Sequence, residues 1–468
     1  MAVSREVDSR RQLLDEKKVV KEYMPLVSVI MPSLNVAPYI KQCIESVQNQ
    51  TLQDIEILCV DAGSTDGTLE ILQECAISDS RIKILHSDMR SYGHQVNMGI
   101  RYAHAKYVAI VETDDYIESE MYHRLYEIAE KYRLDVVKAD YDFVYSETDG
   151  TKHFETVKMY GDCSQYYQIV NGKTNPELHY CDISVWKGLF RKTFLMEKRI
   201  VFNESAGAAY QDIGFHHQVV WYSERMMYVP DSYYRYRRDN ELSSSNSLKA
   251  VRFFCQEYKR LIEKCGFLEK DLQQYRAIVW RIAVCFLIEY QKCVYGGAQI
   301  TEEWTDTLEW IRNFLGQEME KGNLKPEEAG EKFAGRIRTM ISDRFLFEQD
   351  MDVLTQKYNA AKSDLKLKIN GNPVIIFGCG SYGKIMMHFM WENRIHMECF
   401  VDNNVVMQNT KCNEYDIVSP LQLNPIQRNK IVIANKYHVT EIVDQLQKLG
   451  IDKRDIIIPD EILFTDHL

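Results

Sequence analysis

The feature that most constrains this chain lies between residue 26 and about residue 140. There, short apolar runs suited to strands alternate with stretches of helical periodicity. Strands are expected at residues 27–31, 55–60, 82–85 and 107–111. Between the first two, Ile40, Cys43, Ile44 and Val47 fall at i, i+3, i+4 and i+7, one apolar face of a helix. The order is that of a βαβ unit, so an α/β fold on a mostly parallel sheet is predicted. In such sheets ligands bind beyond the carboxyl ends of the strands, and the residues just after each run carry the functional reading.

After the first run come Pro32, Ser33, Leu34 and Asn35; after the second come Asp61, Ala62, Gly63, Ser64, Thr65, Asp66, Gly67 and Thr68. Asp61 is placed to accept hydrogen bonds from a base or ribose. Ser64, Thr65 and Asp66 suit a turn that caps the next helix. The fourth run leads into Glu112, Thr113, Asp114 and Asp115. Three carboxylates at one strand end repel one another unless they are solvated or share a cation. A hard divalent ion, Mg²⁺ or Mn²⁺, takes one or two carboxylates and completes its shell with phosphate oxygens and water. With 68 acidic against 57 basic residues, a formal charge of -11, the chain has no bulk attraction for nucleic acid or anionic lipid. A phosphate-bearing ligand must be held locally.

These three strand-end segments, in this order and spacing, resemble the family 2 glycosyltransferases over about residues 24–245. The resemblance implies a GT-A fold, an inverting transfer and a nucleotide-diphosphate sugar as donor, a UDP-sugar foremost. It places the donor against Pro32, Ser33, Asn35, Asp61, Glu112 and Thr113, with Asp114 and Glu112 at the metal. Two departures stand out. Glu112 occupies a position where the family more often has Asp, and Val96, within Tyr92, Gly93, His94, Gln95, Val96 and Asn97, stands where an Arg commonly precedes the Asn. Asp88 and His94 are the nearby groups that could take over the base contact.

Trp186 to Arg191, followed by Tyr210, Gln211 and Asp212, resembles the acceptor half of the same family, which implies that Asp212 is the catalytic base. An attacking hydroxyl becomes acidic only as the new bond forms, so a carboxylate can take the proton late. The alternative role for Asp212 is a helix N-cap; Glu204 is the next candidate base. His216 and His217 read as packing or surface residues. The stretch from Tyr234 to Ser245 is basic and hydroxyl-rich. By resemblance it closes over the diphosphate, with Arg237, Arg238 and Ser244 as the contacts.

From about residue 246 to 370 the chain is predicted helical. Ile278, Ile282, Cys285 and Phe286 make an apolar stripe that Val279, Trp280, Val284 and Leu287 widen, and the aromatic side chains there are read as packing. From about residue 371 a strand, then Gly378, Cys379, Gly380, Ser381, Tyr382 and Gly383, then a helix and a second strand ending at Asp402 follow the dinucleotide-binding order of a Rossmann-like α/β domain. Gly378, Gly380, Gly383 and Asp402 are candidates for a second nucleotide site, with a docking or self-associating scaffold as the alternative. The predicted divisions are a charged extension at 1–24, a catalytic domain at 25–245, a helical region at 246–370 and this last domain.

A nucleotidyltransferase would bring a glycine-rich basic loop after the first strand, which Pro32 to Asn35 is not. An oxidoreductase working through the C-terminal section lacks a Tyr-x-x-x-Lys pair, and a dead interaction protein has no need of Asp61, Asp114 and Asp212 together. Twelve scattered cysteines without CxxC pairs suit reduced thiols, and neither a signal peptide nor a membrane-spanning run is evident. The expectation is a cytoplasmic enzyme that works on a glycan or lipid-linked acceptor, in the latter case at the inner face of the membrane.

Overall fold

The computed structural model describes residues 24–146, 151–208, 210–238, 240, 250–264, 271–297, 302–424 and 429–465. It opens with β1 (Val27–Ser33), α1 (Ala37–Gln48), β2 (Ile55–Asp61), α2 (Thr68–Ser78), β3 (Ile82–His86), α3 (Tyr92–Tyr102) and β4 (Tyr107–Ile110). All seven residues of β1 and all seven of β2 are buried, as expected for strands covered on both faces. The sequence-based strands are recovered, with β1 and β2 running one or two residues further, up to Ser33 and Asp61.

The chain continues through β5 (Tyr116–Ile117), α4 (Met121–Tyr132), β6 (Val136–Ser146), β7 (Lys152–Val157), α5 (Leu178–Cys181), β8 (Gly188–Arg191), α6 (Lys192–Glu197), α7 (Gln211–Tyr222) and β9 (Met226–Arg237). The nine strands form one sheet in the order β3-β2-β1-β4-β8-β6-β9-β5, with β7 on β6. The β3 to β4 half is parallel; β8 joins it antiparallel, and β6 and β9 then pair parallel over a long ladder. The carboxyl ends of β1, β2 and β4 therefore open on the same edge.

A helical layer follows: α8 (Ala250–Lys264), α9 (Leu272–Tyr295), α10 (Glu302–Glu320), α11 (Glu331–Ser342) and α12 (Arg344–Ile369). Its core takes in Ile213 and Trp221 of α7, while Phe215 and Val219 of that helix belong to the core under the sheet. Helix α7 is thus clamped between two layers, and ten of its twelve residues are buried. Within α9, Ile278, Val279, Ile282, Phe286 and Leu287 are buried as the stripe predicted. Trp280 and Cys285 are only half-buried, because they sit at the margins of that stripe.

The last section holds β10 (Val374–Phe377), α13 (Ser381–Glu392), β11 (Met397–Val401), β12 (Thr410–Cys412), β13 (Tyr415–Val418), β14 (Lys430–Ile433), α14 (Val439–Lys448), β15 (Ile456–Ile457) and α15 (Ile462–Thr465). Its sheet runs β12-β13-β11-β10-β14-β15, parallel except for β12. It docks on the β6–β7 ladder. Tyr145 packs on Trp391 at 4.9 Å, and His153 stacks on Trp391 at 5.5 Å and on Tyr415 at 5.7 Å. His388 Nε2 meets Glu155 Oε1 at 2.9 Å.

Candidate active site

The loop after β2 is braced against the loop after β1. Asn35, at a left-handed φ of 54°, accepts the Thr65 N–H at 2.9 Å and donates its own N–H to Ser64 Oγ at 3.0 Å. Thr68 Oγ1 and Asp66 Oδ2 accept the N–H groups of Val36 and Ala37 at 2.8 and 2.9 Å. The first turn of α1 is therefore capped from a loop about thirty residues away, which satisfies donors that the helix leaves open. Asp66 also accepts from Thr68 at the head of α2, the capping role read from sequence. Asp61 is buried, and its carboxylate accepts from Gly63 N, Ser64 N and Ser64 Oγ at 2.9, 3.1 and 2.5 Å. It shapes the loop whose floor it forms.

Pro32 and Ser33 contribute backbone. The Pro32 carbonyl accepts from Thr113 Oγ1 at 2.8 Å, and the Ser33 carbonyl from Gln95 Nε2 at 2.9 Å. Asp88 is 90 % exposed and meets His94 at 3.4 Å. His94 in turn meets Glu204 Oε2 at 3.1 Å. Glu204 is held below the ordinary carboxylate range, since bonds from Asn97 and His94 outweigh its partial burial, which makes it a poorer reserve base. Val96, where an Arg was the family expectation, is fully buried against the sheet.

The acidic turn after β4 divides its labour. Asp115 is buried and accepts from Arg237 N at 2.8 Å and Tyr234 Oη at 2.9 Å, which ties β4 to the end of β9. Asp114 accepts from Asn240 Nδ2 at 2.8 Å through Oδ2. Glu112 Oε1 accepts from Tyr92 Oη at 2.5 Å. Burial pushes the Glu112 carboxyl up to about 8, with the charges of Asp114 and Asp212 adding to it. Asp212 is likewise pushed up to about 6 by burial. It is not the N-cap of α7: Tyr210 holds that position at a φ of 60°, and Asp212 sits in the first turn with Oδ1 on the Ile213 N–H.

Arg237 is buried, bonds Gln42 Oε1 and lies over the rings of Tyr39 and Tyr116. Arg238 is exposed, with its N–H on the Val144 carbonyl and its guanidinium 5.1 Å from the Phe143 ring centroid. Ser244 lies outside the described residues. Sequence reasoning missed Tyr92, Tyr234 and Asn240 as partners of the three carboxylates. The first two were visible as tyrosines inside quoted segments, but nothing in their spacing pointed at the acidic turn.

Behind Asp212 the two histidines of α7 are buried, and each has a partner on at least one ring nitrogen, while His216 Nδ1 has none among the described residues. His179 Nδ1 meets His217 Nδ1 at 3.0 Å, His217 Nε2 meets Tyr258 Oη at 3.0 Å, and His216 Nε2 meets the Leu178 carbonyl at 2.9 Å. Burial pushes His179 down to about 4 and holds the other two well below the usual imidazole range. Of the packing and surface roles expected for His216 and His217, burial leaves packing. Beneath them, buried Lys138 and Lys187 share Asp182 at 3.0 and 3.3 Å.

Among the described residues no three His, Cys, Asp or Glu side chains are close enough to cage a cation. A Mg²⁺ or Mn²⁺ site does not require that many, since phosphate and water supply most of its ligands. The donor set here fits such an ion: hard oxygens on Asp114 and Glu112, in surroundings that crowd negative charge. No helix among the described residues is long and apolar enough to cross a membrane.

In the C-terminal section, Gly378 has a φ of +105° and a Cβ there would lie 2.8 Å from the Ala434 carbonyl; a Cβ on Gly383 would lie 2.1 Å from the Gly378 carbonyl. Gly380 meets no neighbour within 4 Å of a built Cβ and leads into α13. Asp402 accepts from Cys379 N at 2.9 Å and Asn404 N at 2.8 Å, so its carboxylate braces the turn.

Residues 28–194 match glycosyl transferase family 2, and residues 370–457 match a family described as C2185-like, N-terminal. Over the first of these regions the chain is similar to the family 2 glycosyltransferases, and its sheet has a GT-A type fold. It is 28% identical over 309 residues to glycosyltransferase GlyG of Streptococcus pneumoniae serotype 4, covering 64% of this chain and 98% of that one. To the uncharacterized glycosyltransferase EpsJ of Bacillus subtilis strain 168 it is 30% identical over 221 residues, 46% of this chain and 62% of that one. Among solved structures, Staphylococcus aureus TarS 1-349 in complex with UDP-GlcNAc superposes with a TM-score of 0.53 at 16% identity, over 72% of this chain and 91% of that one. That likeness concerns the fold.

Proposed function

We propose that this glycosyltransferase moves a sugar from a nucleotide-diphosphate sugar, a UDP-sugar foremost, to a hydroxyl of a glycan or lipid-linked acceptor, with inversion, in the synthesis of a bacterial surface polysaccharide or glycoconjugate. The observation that carries the reading is the convergence of Glu112, Asp114 and Asp212. The strand-end turn and the head of α7 are close enough that Asp114 and Asp212 both raise the Glu112 carboxyl. A donor diphosphate and an acceptor hydroxyl need those two kinds of carboxylate on either side of the reacting carbon. The similarity in fold to TarS, which has been solved with UDP-GlcNAc and with UDP, and the similarity to glycosyltransferase GlyG support the donor class.

In this reading Asp61 and the braced loops around Asn35 form the nucleoside floor. Asp114 and Glu112 would hold Mg²⁺ or Mn²⁺, and the ion, when bound, offsets the charge of the departing diphosphate. Asp212, ionised above about pH 6, takes the acceptor proton late in the attack. Tyr234 and Asn240 fix the acidic turn against the end of β9 and the chain just after it. Arg238 and Ser244 are the proposed diphosphate contacts. A screen of common nucleotide sugars for hydrolysis, with and without Mn²⁺, tests the reading: turnover of at least one donor is expected, and none across the panel would refute it.

A further inference from the structure

Most aromatic side chains of the helical layer are packed as the sequence suggested; Tyr275, Tyr290 and Trp304 are all buried. Trp280 and Tyr180 differ. They meet with ring centroids 4.7 Å apart at 48°, and both line a cleft of about 300 Å³ between α5 and the α9 layer. Tyr180 is 38 % exposed. Gln273 and Arg276, on the same helix as Trp280, and Asn323 and Glu328 also line the cleft. The aromatic pair is bordered both by these polar groups and by Pro176, Ala277 and Leu324, so the space offers apolar surface and hydrogen-bonding groups side by side. It suits a sugar ring, whose C–H face stacks on an aromatic surface while its hydroxyls meet amide, guanidinium and carboxylate groups two at a time. The Arg276 Nε to Asn323 Oδ1 contact is long, at 3.4 Å, and a ligand hydroxyl can displace it at little cost.

The cleft is also mechanically joined to the active site. Arg281, next to Trp280, donates to the Tyr180 carbonyl at 2.8 Å, which fixes one aromatic wall to the other. His179, next to Tyr180, stacks on His217 of α7 with centroids 5.2 Å apart, and Asp212 opens that same helix. By way of α7 and the stacked rings, the cleft lies roughly 15–20 Å from Asp212, a span of a few sugar rings.

We propose that this cleft is a second carbohydrate site, which holds a distal ring of an extended acceptor glycan while its terminal hydroxyl is presented to Asp212. The proposal rests on the reading of the acceptor as a glycan. It makes the enzyme selective for chain length: a short acceptor reaches Asp212 alone, and a longer one gains a second point of attachment, which raises its effective concentration at the base.

The test uses the full chain on an array of bacterial surface glycans, followed by titration of whatever is retained, with the variants Trp280→Ala, Trp280→Phe and Arg276→Ala. The expected result is that an extended glycan is retained by the wild type, lost at least tenfold by Trp280→Ala, weakened by Arg276→Ala and largely restored by Trp280→Phe. Nucleotide-sugar hydrolysis should be unchanged in all three. Equal retention by Trp280→Ala overturns the proposal, and so does an array on which the wild type retains nothing. Donor hydrolysis is the separate arm: if the wild type hydrolyses no nucleotide sugar yet binds glycan through Trp280, the transferase reading fails and the carbohydrate site stands.

Discussion

Asn240 donates its side-chain N–H to Asp114 Oδ2 at 2.8 Å, across 126 residues of sequence. The bond links the acidic turn after β4 to the chain leaving β9, and it fixes one carboxylate oxygen so that the other is left for a ligand. Removing an orienting bond in an enclosed site costs about 1–3 kcal/mol. Asn240→Ala should therefore raise the KM for donor by roughly tenfold or more with little change in thermal stability. Steady-state kinetics against donor concentration check this; an unchanged KM would mean that Asp114 needs no such support.

Asp212→Asn should fold, because the bond that Oδ1 accepts from the Ile213 N–H can be kept by an amide oxygen. Transfer should fall by about 10²- to 10⁴-fold, the range for loss of a general base, with nucleoside diphosphate affinity retained. In the wild type the ionised form is the active one, so the rate should decline as pH falls through about 6. Calorimetry and a pH–rate profile on both proteins separate base from scaffold.

Glu257 gives a pH prediction that does not involve chemistry. Its Oε2 accepts from Asn203 at 2.7 Å, while Oε1 is buried without a hydrogen-bond partner and sits where a Cβ on Gly214 would fall. Burial pushes the carboxyl up to about 7 from 4.5. Between those values the folded state binds a proton that the unfolded chain has lost, so stability falls as pH rises through the window. Glu257→Gln removes that loss. At pH 8 the variant should be the more stable by as much as about 3 kcal/mol, and the gap should close by pH 4.5. Urea midpoints at the two pH values measure it.

Helix α3 lies close on β1 because Gly99 faces Ile30: a Cβ there would come within 2.4 Å of Ile30 Cγ2, and Ile30 is fully buried. Gly99→Ala should cost about 1–3 kcal/mol by overpacking, more than the helix gain of about 1 kcal/mol. Gly335, inside α11, meets nothing within 4 Å of a built Cβ. Gly335→Ala is the control and should be neutral or stabilising.

The first four strands, the apolar face of α1 and the acidic turn were legible because each depends on local periodicity or on residues adjacent in sequence. What was not legible depends on distant partners. Asp115 reads as one of three equivalent carboxylates until Tyr234 and the Arg237 backbone, some 120 residues on, claim it. Asp212 reads as a helix cap or a base, and only the left-handed Tyr210 excludes the cap. Arg237 and Arg238 look alike in sequence, yet the first, at the end of β9, is buried and the second, just past it, is exposed, since successive residues of an extended chain face opposite sides. Trp280 counted as core by its spacing, and the margin of the α9 stripe left it open to the cleft.

Donor turnover by the wild type and by Asp114→Ala, with Mn²⁺ and again in excess EDTA, tests the central claim most directly. The account predicts turnover with Mn²⁺, its loss in EDTA, its return on adding Mn²⁺ or Mg²⁺, and a fall of at least about 10²-fold in the variant, as for loss of a group that stabilises developing charge. Full turnover in EDTA, or by Asp114→Ala, would contradict it.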